Sequence, residues 1–297
     1  MESPQKLLAT EMKNKTIPLI YLLGAGRSGT TVIATVMNAH PNIQTAGELH
    51  QFFGHLLGDK DCSCGNTLAT CEFWRNTSNN FQVSIKELRN WKRQIKKQEA
   101  HRNIPKYLFN KREYKDYCKI QELLFTNIKK ETEGQWILDS SKYIGRYLLL
   151  KRSEKLKVRG VYVVRDVRGV IASFMKKVQT SRSPLSAILY YLMINTFAQL
   201  VCWMDREVVK VRYEDFMRDP ERVVQEICGR ISPTLDIPIS LPSEFEMPHI
   251  IGGNRLRKHK TISLNFDEKW KTSIPRGKQI LYYFLALPIM ILNQYRP

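Results

Sequence analysis

The sequence begins without the apolar core of a secretory signal peptide, because residues 1–16 are polar and bear lysines. The only membrane-like stretch, residues 280–292, is shorter than the roughly 20 residues that a spanning helix needs. We therefore expect a cytoplasmic protein in which residues 280–292 form a packed terminal helix. Contact between this segment and a membrane surface is the alternative.

Acidic residues are scarce relative to basic ones. The chain has 28 Asp and Glu against 47 Lys and Arg, which gives a formal net charge of +19. Such a charge attracts anions, whether a phosphorylated nucleotide, a membrane surface, an acidic glycan or nucleic acid. The aromatic residues are not interleaved with basic ones in a stacking motif, so we expect no nucleic-acid partner, although a basic nucleic-acid-binding module remains an alternative.

The chain also lacks internal repeats and low-complexity tracts. Its 297 residues and 43% hydrophobic content support one ordered domain over residues 1–297. The predicted strands are 17–23, 42–46, 135–139, 158–164 and 207–212, and the predicted helices are 30–39, 143–152, 166–178, 185–203 and 219–230. This alternation predicts an α/β fold with a parallel β-sheet flanked by helices. Residues 51–132 are mainly helical and are expected to form an insertion or lid.

A glycine-rich segment follows the first predicted strand. Gly24 and Gly29 have the spacing of a nucleotide P-loop, but Thr30 stands where that loop has lysine. The N-terminus of the following helix favours an anion. A triphosphate site needs the lysine and Mg²⁺, so this loop suits a less charged ligand. A metal-dependent P-loop kinase is one alternative. The other is a glycine turn that only connects the strand to the helix.

A second anion site is predicted at the end of the strand 158–164. Arg165 directly follows this strand, where open α/β sheets bind ligands, and its guanidinium can grip a phosphate with two hydrogen bonds. Ser173 lies eight residues further on, within the next predicted helix. An ion pair between Arg165 and Asp166 is the structural alternative.

Together the two motifs resemble those of the sulfotransferases that use 3′-phosphoadenosine 5′-phosphosulfate (PAPS). The Arg-Ser-Gly-Thr-Thr at 27–31 is similar to that family's sulfate-end loop, and residues 161–173 are similar to its 3′-phosphate motif. The resemblance extends from about residue 17 to the C-terminal basic loop. It implies a P-loop NTPase-like fold with a helical insertion, and metal-free transfer of a sulfuryl group to an acceptor hydroxyl with 3′-phosphoadenosine 5′-phosphate (PAP) as product.

The resemblance also implies which residues bind the cofactor. They come from the loop, the second motif, the end of the last predicted strand and a C-terminal segment within 245–297 that closes over the 3′-phosphate. They are Gly26, Arg27, Ser28, Gly29, Thr30, Thr31, Arg165, Ser173, Tyr213, Arg255 and Arg257. For Tyr213 a core position is the alternative.

The reaction requires a base for the acceptor's proton and positive charge at the leaving phosphate. Glu48, just after the second predicted strand, is the predicted base, and His50 is the alternative base. An ion pair between Glu48 and one of the lysines is the structural alternative. Arg27 is predicted to stabilise the leaving oxygen. Lys142 is predicted to add positive charge at the sulfuryl centre, and a solvent lysine at the start of the next helix is the alternative. A small molecule, a lipid or a glycan can each supply the hydroxyl, and the oligomeric state is not predicted.

Half of the six cysteines lie close together in the sequence, at Cys62, Cys64 and Cys71. Their proximity to His50 and His55 suggests a zinc site, but the spacings do not fit the common paired knuckles. We expect free thiols and no metal, with a metal site or a disulfide as alternatives. Residues 71–74 resemble a segment of some bacterial sulfotransferases and are predicted to line the acceptor pocket.

Overall fold

The structure is a computed structural model that describes residues 16–110, 112–132, 136–176 and 181–297. Residues 1–15, Gln135 at the start of a predicted strand, and residues 177–178 at the end of a predicted helix lie outside these ranges.

A parallel sheet forms the centre of the fold, as predicted. Within the described residues its five strands have the order β2-β3-β1-β4-β5. They are β1 (Ile17–Leu23), β2 (Ile43–Gly47), β3 (Trp136–Lys142), β4 (Leu156–Val164) and β5 (Val208–Arg212). Strand β3 ends later than predicted because Lys142 still pairs with Leu23 across an irregularity in the register.

Helices cover both faces of this sheet. They are α1 (Thr30–Met37), α2 (Phe52–Gly58), α3 (Trp74–Asn79), α4 (Ile85–Gln98), α5 (Ile104–Phe109), α6 (Lys115–Lys130), α7 (Ile144–Leu150), α8 (Val167–Met175), α9 (Pro184–Met204), α10 (Tyr213–Arg218), α11 (Pro220–Ile231), α12 (Trp270–Ser273), α13 (Arg276–Leu285) and α14 (Leu287–Leu292). Helix α10 was not predicted from the sequence. Neither was the antiparallel pair in the C-terminal part of the chain, β6 (Glu244–Glu246) and β7 (Thr261–Ser263).

The alternation of side chains along β1 separates two hydrophobic cores. Leu19 and Tyr21 join the larger core with the insertion helices and α9, whereas Ile20 and Leu22 join a smaller core with α1 and α11. Since successive strand residues point to opposite faces, a fully apolar strand supplies both cores. β1 is therefore held from both sides, which fixes the loop that follows it.

The membrane-like segment 280–292 forms two short helices, α13 and α14, and Pro288 in the first turn of α14 accompanies the break between them. The expectation that this segment is the only membrane-like stretch is wrong. Helix α9 is long and apolar enough to cross a membrane by length and composition, with a mean hydropathy of 1.6. A helix in a protein core passes the same test, and 44% of that window is buried.

Candidate active site

The glycine-rich loop connects β1 to α1 in a conformation that requires glycine at two positions. Gly24 has φ +135°, and a Cβ there would lie 2.3 Å from the carbonyl oxygen of Val163. Gly29 has φ +87°, and a Cβ there would lie 2.3 Å from the ring of Tyr213. These contacts bring the loop against β4 and against the start of α10, because no side chain separates them.

The loop offers hydrogen-bond donors to an anion. Ser28 is fully buried, and its Oγ has no hydrogen-bond partner among the described residues. Helix α1 begins at Thr30, so the N–H groups of its first turn lack partners within the helix. A buried hydroxyl without a partner is costly unless a ligand supplies one. The loop therefore fits a phosphate or sulfate group.

Glu48 and Lys142 meet beside the loop because β2 and β3 are parallel neighbours whose carboxyl ends share one edge of the sheet. Lys142 Nζ donates to Glu48 Oε1 and, at 3.1 Å, to the carbonyl oxygen of Ser140. Gln51 Nε2 donates to Glu48 Oε2 at 2.7 Å. Burial raises the pKa of Glu48, but the charge of Lys142, the nearby His50 and the hydrogen bonds from Lys142 and Gln51 together outweigh it, and the net pKa lies below its usual value. Glu48 is thus a carboxylate at neutral pH.

These groups line one cavity of about 370 Å³. Its lining combines the loop, both catalytic candidates of the sheet edge, an aromatic wall and the C-terminal segment. The residues are Gly26, Arg27, Gly29, Thr30, Thr31, Glu48, Gln51, Lys142, Phe174, Arg182, Tyr190, Gly253 and Asn254. The structure therefore brings together Arg27, Glu48 and Lys142, which the sequence placed far apart.

His50 is not one of the described residues that line this cavity. Its backbone N–H donates to Ser141 Oγ at 3.0 Å, and its ring packs against Tyr143 with 4.6 Å between centroids. Burial lowers the pKa of His50 to about 3, so the imidazole is neutral. Of the two predicted bases, Glu48 is the one in the cavity.

Arg165 is buried at the carboxyl end of β4 and lies close to the loop. Its guanidinium donates to the carbonyl oxygens of Arg27 at 3.2 Å and Asp267 at 2.9 Å. It also lies over the Tyr213 ring, 4.3 Å from the centroid. The alternative ion pair is not formed among the described residues, since Asp166 pairs with Arg168 at 2.8 Å. Arg165 instead forms an ion pair with the carboxylate of Asp267, at 3.6 Å.

The other predicted cofactor residues are more dispersed. Ser173 is half-buried in α8, and Tyr213 packs under Arg165 and against Gly29. Arg255 is exposed, whereas Arg257 donates to the carbonyl oxygen of Asp61 at 3.0 Å. Of the C-terminal segment, Gly253 and Asn254 reach the cavity instead.

Sequence reasoning missed several residues of the site. They are Gln51, Phe174, Arg182, Tyr190, Asn254 and Asp267. Gln51, Arg182, Tyr190 and Asp267 lie outside the predicted motifs, whereas Asn254 lies in the C-terminal segment that was expected to close over the 3′-phosphate. Phe174 had the best signal, because it follows Ser173 in the second motif and its ring lies 5.6 Å from the Arg27 guanidinium.

The clustered cysteines are free thiols in this structure. Their histidine neighbour is His249, whose Nδ1 lies 3.2 Å from Cys71 Sγ, and not His50 or His55. Among the described cavity-lining residues, none belongs to the segment 71–74. Trp74 is fully buried and donates to the carbonyl oxygen of His249 at 3.0 Å.

The sequence matches the sulfotransferase family over residues 18–236, more than half of the chain. The sulfotransferase domain from the Synechococcus PCC 7002 olefin synthase is similar with a TM-score of 0.55 and 18% identity, over 96% of this chain and 97% of that one. The sulfotransferase domain from the curacin biosynthetic pathway is similar with a TM-score of 0.52 and 18% identity, over 95% and 99%. No curated protein matches in sequence.

Proposed function

Because this chain belongs to the sulfotransferase family, we propose that it transfers a sulfuryl group from PAPS to a hydroxyl of a small-molecule, lipid or glycan acceptor, with Glu48 as the base. The observation that carries this proposal is the single cavity lined by the loop, Glu48 and Lys142. We further propose that residues 1–297 act as one domain.

The donor-binding residues fit a molecule with phosphate at both ends. PAPS supplies a sulfuryl group already bonded to a phosphate leaving group. Residues 26–31 would hold the phosphosulfate end, since Ser28 Oγ is buried without a partner among the described residues. Arg165 would hold the 3′-phosphate, with Ser173 and Tyr213 beside it. The loop and Arg165 already share a hydrogen bond, through the carbonyl oxygen of Arg27.

Glu48 would accept the proton of the acceptor hydroxyl. The carboxylate is ionised at neutral pH and is held by Lys142 and Gln51, so its orientation is fixed before the acceptor binds. Arg27 and Lys142 would stabilise the negative charge that develops on the leaving oxygen. Arg255 and Arg257 stay predictions as 3′-phosphate ligands.

The two alternatives, a P-loop kinase and a nucleic-acid-binding module, are less well supported than a sulfotransferase. A P-loop kinase needs the lysine that Thr30 replaces, and the family match identifies a sulfotransferase. The net charge of +19 that motivated a nucleic-acid-binding module also suits a donor with several phosphate and sulfate charges.

The test is acceptor profiling with radiolabelled PAPS. We expect transfer to at least one hydroxyl-bearing acceptor, a loss of more than about a hundredfold in kcat for Glu48→Gln, and a comparable loss for Arg27→Ala. Glu226→Gln, which changes an exposed glutamate on α11, is the matched control and should be fully active. Unchanged turnover in Glu48→Gln would contradict the assigned base.

A further inference from the structure

Three cysteines of one loop converge on a histidine of the C-terminal segment, outside the cavity. The ligand atoms of Cys62, Cys64, Cys71 and His249 all lie within 4.8 Å of one another. Cys62 and Cys71 are buried, Cys64 is exposed and His249 is half-buried. Sulfuryl transfer uses none of these groups. We propose that they form a structural zinc site.

Three of the distances between the ligand atoms lie close to those of a tetrahedral zinc site. Zinc bonds of about 2.3 Å to sulfur and about 2.0–2.1 Å to nitrogen place two sulfurs about 3.8 Å apart and a sulfur and a nitrogen about 3.5 Å apart. Cys64 Sγ lies 3.7 Å from Cys71 Sγ. His249 Nδ1 lies 3.2 Å from Cys71 Sγ and 3.9 Å from Cys62 Sγ. A disulfide would need a sulfur separation of about 2.05 Å and would leave one thiol and the imidazole unused.

The chemistry of the donor atoms favours zinc over Mg²⁺ and Ca²⁺. Three thiolates and one imidazole suit zinc, whereas Mg²⁺ and Ca²⁺ prefer oxygen ligands. Four protein ligands fill a tetrahedral shell, as in structural zinc sites, and leave no open position for a reacting water. Each thiol would release its proton as the metal binds.

The surroundings of His249 orient it as a ligand. Its Nε2 lies 3.4 Å from a carboxylate oxygen of Glu72, and its ring stacks on Phe73 with 6.1 Å between centroids. A carboxylate behind the second ring nitrogen holds the proton there and leaves Nδ1 as the ligand. Nδ1 is the nitrogen that lies nearest to the thiols of Cys62 and Cys71.

The backbone around the cysteines forms a tight turn. The N–H of Cys62 donates to Asn66 O at 2.8 Å, and its carbonyl accepts from the N–H of Gly65 at 3.1 Å. This turn brings Cys62 and Cys64 back towards Cys71. The loop is therefore shaped by its own hydrogen bonds, and the metal would close it onto the C-terminal segment.

Zinc at this position would hold the C-terminal segment against the sheet edge. Ser63 Oγ accepts from the N–H of Ile250 at 3.0 Å. The carbonyl of Ile251 accepts from the N–H of Glu48 at 2.7 Å. Asn254, three residues further on, lines the cavity. The site thus acts as a clamp between the cysteine loop and a cavity wall, and its existence does not depend on which acceptor the enzyme uses.

The test is the metal content of the full-length protein purified under reducing conditions without chelator. By inductively coupled plasma mass spectrometry we expect close to one zinc per chain in the wild type and in Cys202→Ser, which changes a cysteine of α9 outside the cluster. We expect a loss of at least half of that zinc in Cys64→Ser and in His249→Asn. Cys64 is exposed, so its substitution should leave the fold intact, which circular dichroism checks. Addition of Co²⁺ to chelator-treated protein should give thiolate-to-cobalt charge-transfer absorption that is weakened in Cys64→Ser.

Three results would overturn the proposal. One is a folded wild type that contains no zinc and takes up neither Zn²⁺ nor Co²⁺ after reduction. Another is zinc content that is equal in the wild type and in both cluster variants. A disulfide between Cys64 and Cys71, found by mass spectrometry in protein prepared without reductant under argon, would also count against the zinc site.

Discussion

At the scale of single residues, the protonation state of Glu48 depends on its neighbours, among which Lys142 has the largest effect. Burial raises the pKa of Glu48, but the Lys142 charge, the nearby His50 and the hydrogen bonds from Lys142 and Gln51 together lower it below its ordinary value. A carboxyl with a lowered pKa stays ionised at neutral pH and gains a proton only as the pH falls through that lowered value. As the proposed base, Glu48 should therefore keep working at mildly acidic pH.

Removing the charge of Lys142 should raise the pH below which Glu48 gains a proton and activity falls. In Lys142→Met the effect of burial on the pKa of Glu48 loses its largest opposing contribution, so we expect the acid limb of the kcat/KM profile to shift to higher pH, along with a lower maximal rate. The measurement is kcat/KM against pH with a saturating donor. Lys151→Met, directly after α7, is the control and should show the wild-type limb. An unshifted limb in Lys142→Met would mean that another group is the base.

Arg165 makes its contacts through the geometry of the guanidinium, and a lysine cannot reproduce it. Arg165→Lys keeps the charge but loses the planar fork that contacts Arg27 O, Asp267 O and the Tyr213 ring. We expect PAP affinity to fall about tenfold or more, because hydrogen bonds to charged groups contribute about 1.5–3 kcal/mol. Calorimetric titration with PAP measures it, with Arg222→Lys on the surface as control. Equal affinity in Arg165→Lys would place the 3′-phosphate elsewhere.

At the scale of secondary-structure elements, the sequence predicted what local patterns encode. Apolar runs and glycine spacing located β1, the loop and α1. The helix predicted over residues 219–230 forms as α11, and its cap Asp219 accepts from the N–H of Arg222 at 3.2 Å. Contacts between distant segments have no local pattern. His249 joins cysteines that lie 178 to 187 residues earlier, and neither spacing nor periodicity could show that pairing.

A buried network of polar side chains from distant segments attaches the helical insertion to the sheet. Arg146 of α7 is fully buried, and it donates to Asp139 of β3 at 2.9 Å and to Glu99, next to α4, at 2.7 Å. Tyr117 of α6 donates to the same Glu99 oxygen at 2.7 Å. Through Ser141, Asp139 is also linked to the backbone of His50. This buried network fixes the helical insertion relative to the edge that bears the site.

Breaking the network should be costly. Arg146→Ala would leave two carboxylates buried without their cation, and we expect a loss of about 3–5 kcal/mol in the free energy of unfolding. Urea denaturation followed by circular dichroism measures it. Arg222→Ala, at an exposed position of α11, is the control and should stay within about 0.5 kcal/mol of the wild type. A loss below about 1 kcal/mol in Arg146→Ala would show that Glu99 and Asp139 become protonated or hydrated at little cost.

At the scale of the whole molecule, the net charge and an exposed apolar surface occur together. Large apolar side chains of α13 and α14 are exposed. Helix α14 packs on α9, and α9 also has exposed large apolar side chains. On α13 and α14 they are Ile280, Leu281, Phe284, Leu285, Ile291 and Leu292, and on α9 they are Leu185, Leu189, Met193, Trp203 and Met204. Large exposed apolar surfaces mark binding sites for partners or membranes. We propose that the enzyme is cytoplasmic and uses this surface for peripheral contact with an anionic membrane.

Vesicle sedimentation tests this contact. The formal charge of +19 should favour vesicles with anionic lipid over purely zwitterionic ones, and binding should weaken as salt rises because exposed charges are screened over about 10 Å at 0.1 M. Phe284→Asp puts a carboxylate on the apolar surface at a side chain that is 57% exposed, so it should abolish binding without unfolding the protein. Ile85→Asp, at a 61% exposed position of α4, is the matched control and should bind like the wild type. If Phe284→Asp instead converts a dimer to a monomer in analytical ultracentrifugation and leaves vesicle binding unchanged, then a second copy of the chain, and not a membrane, covers this surface.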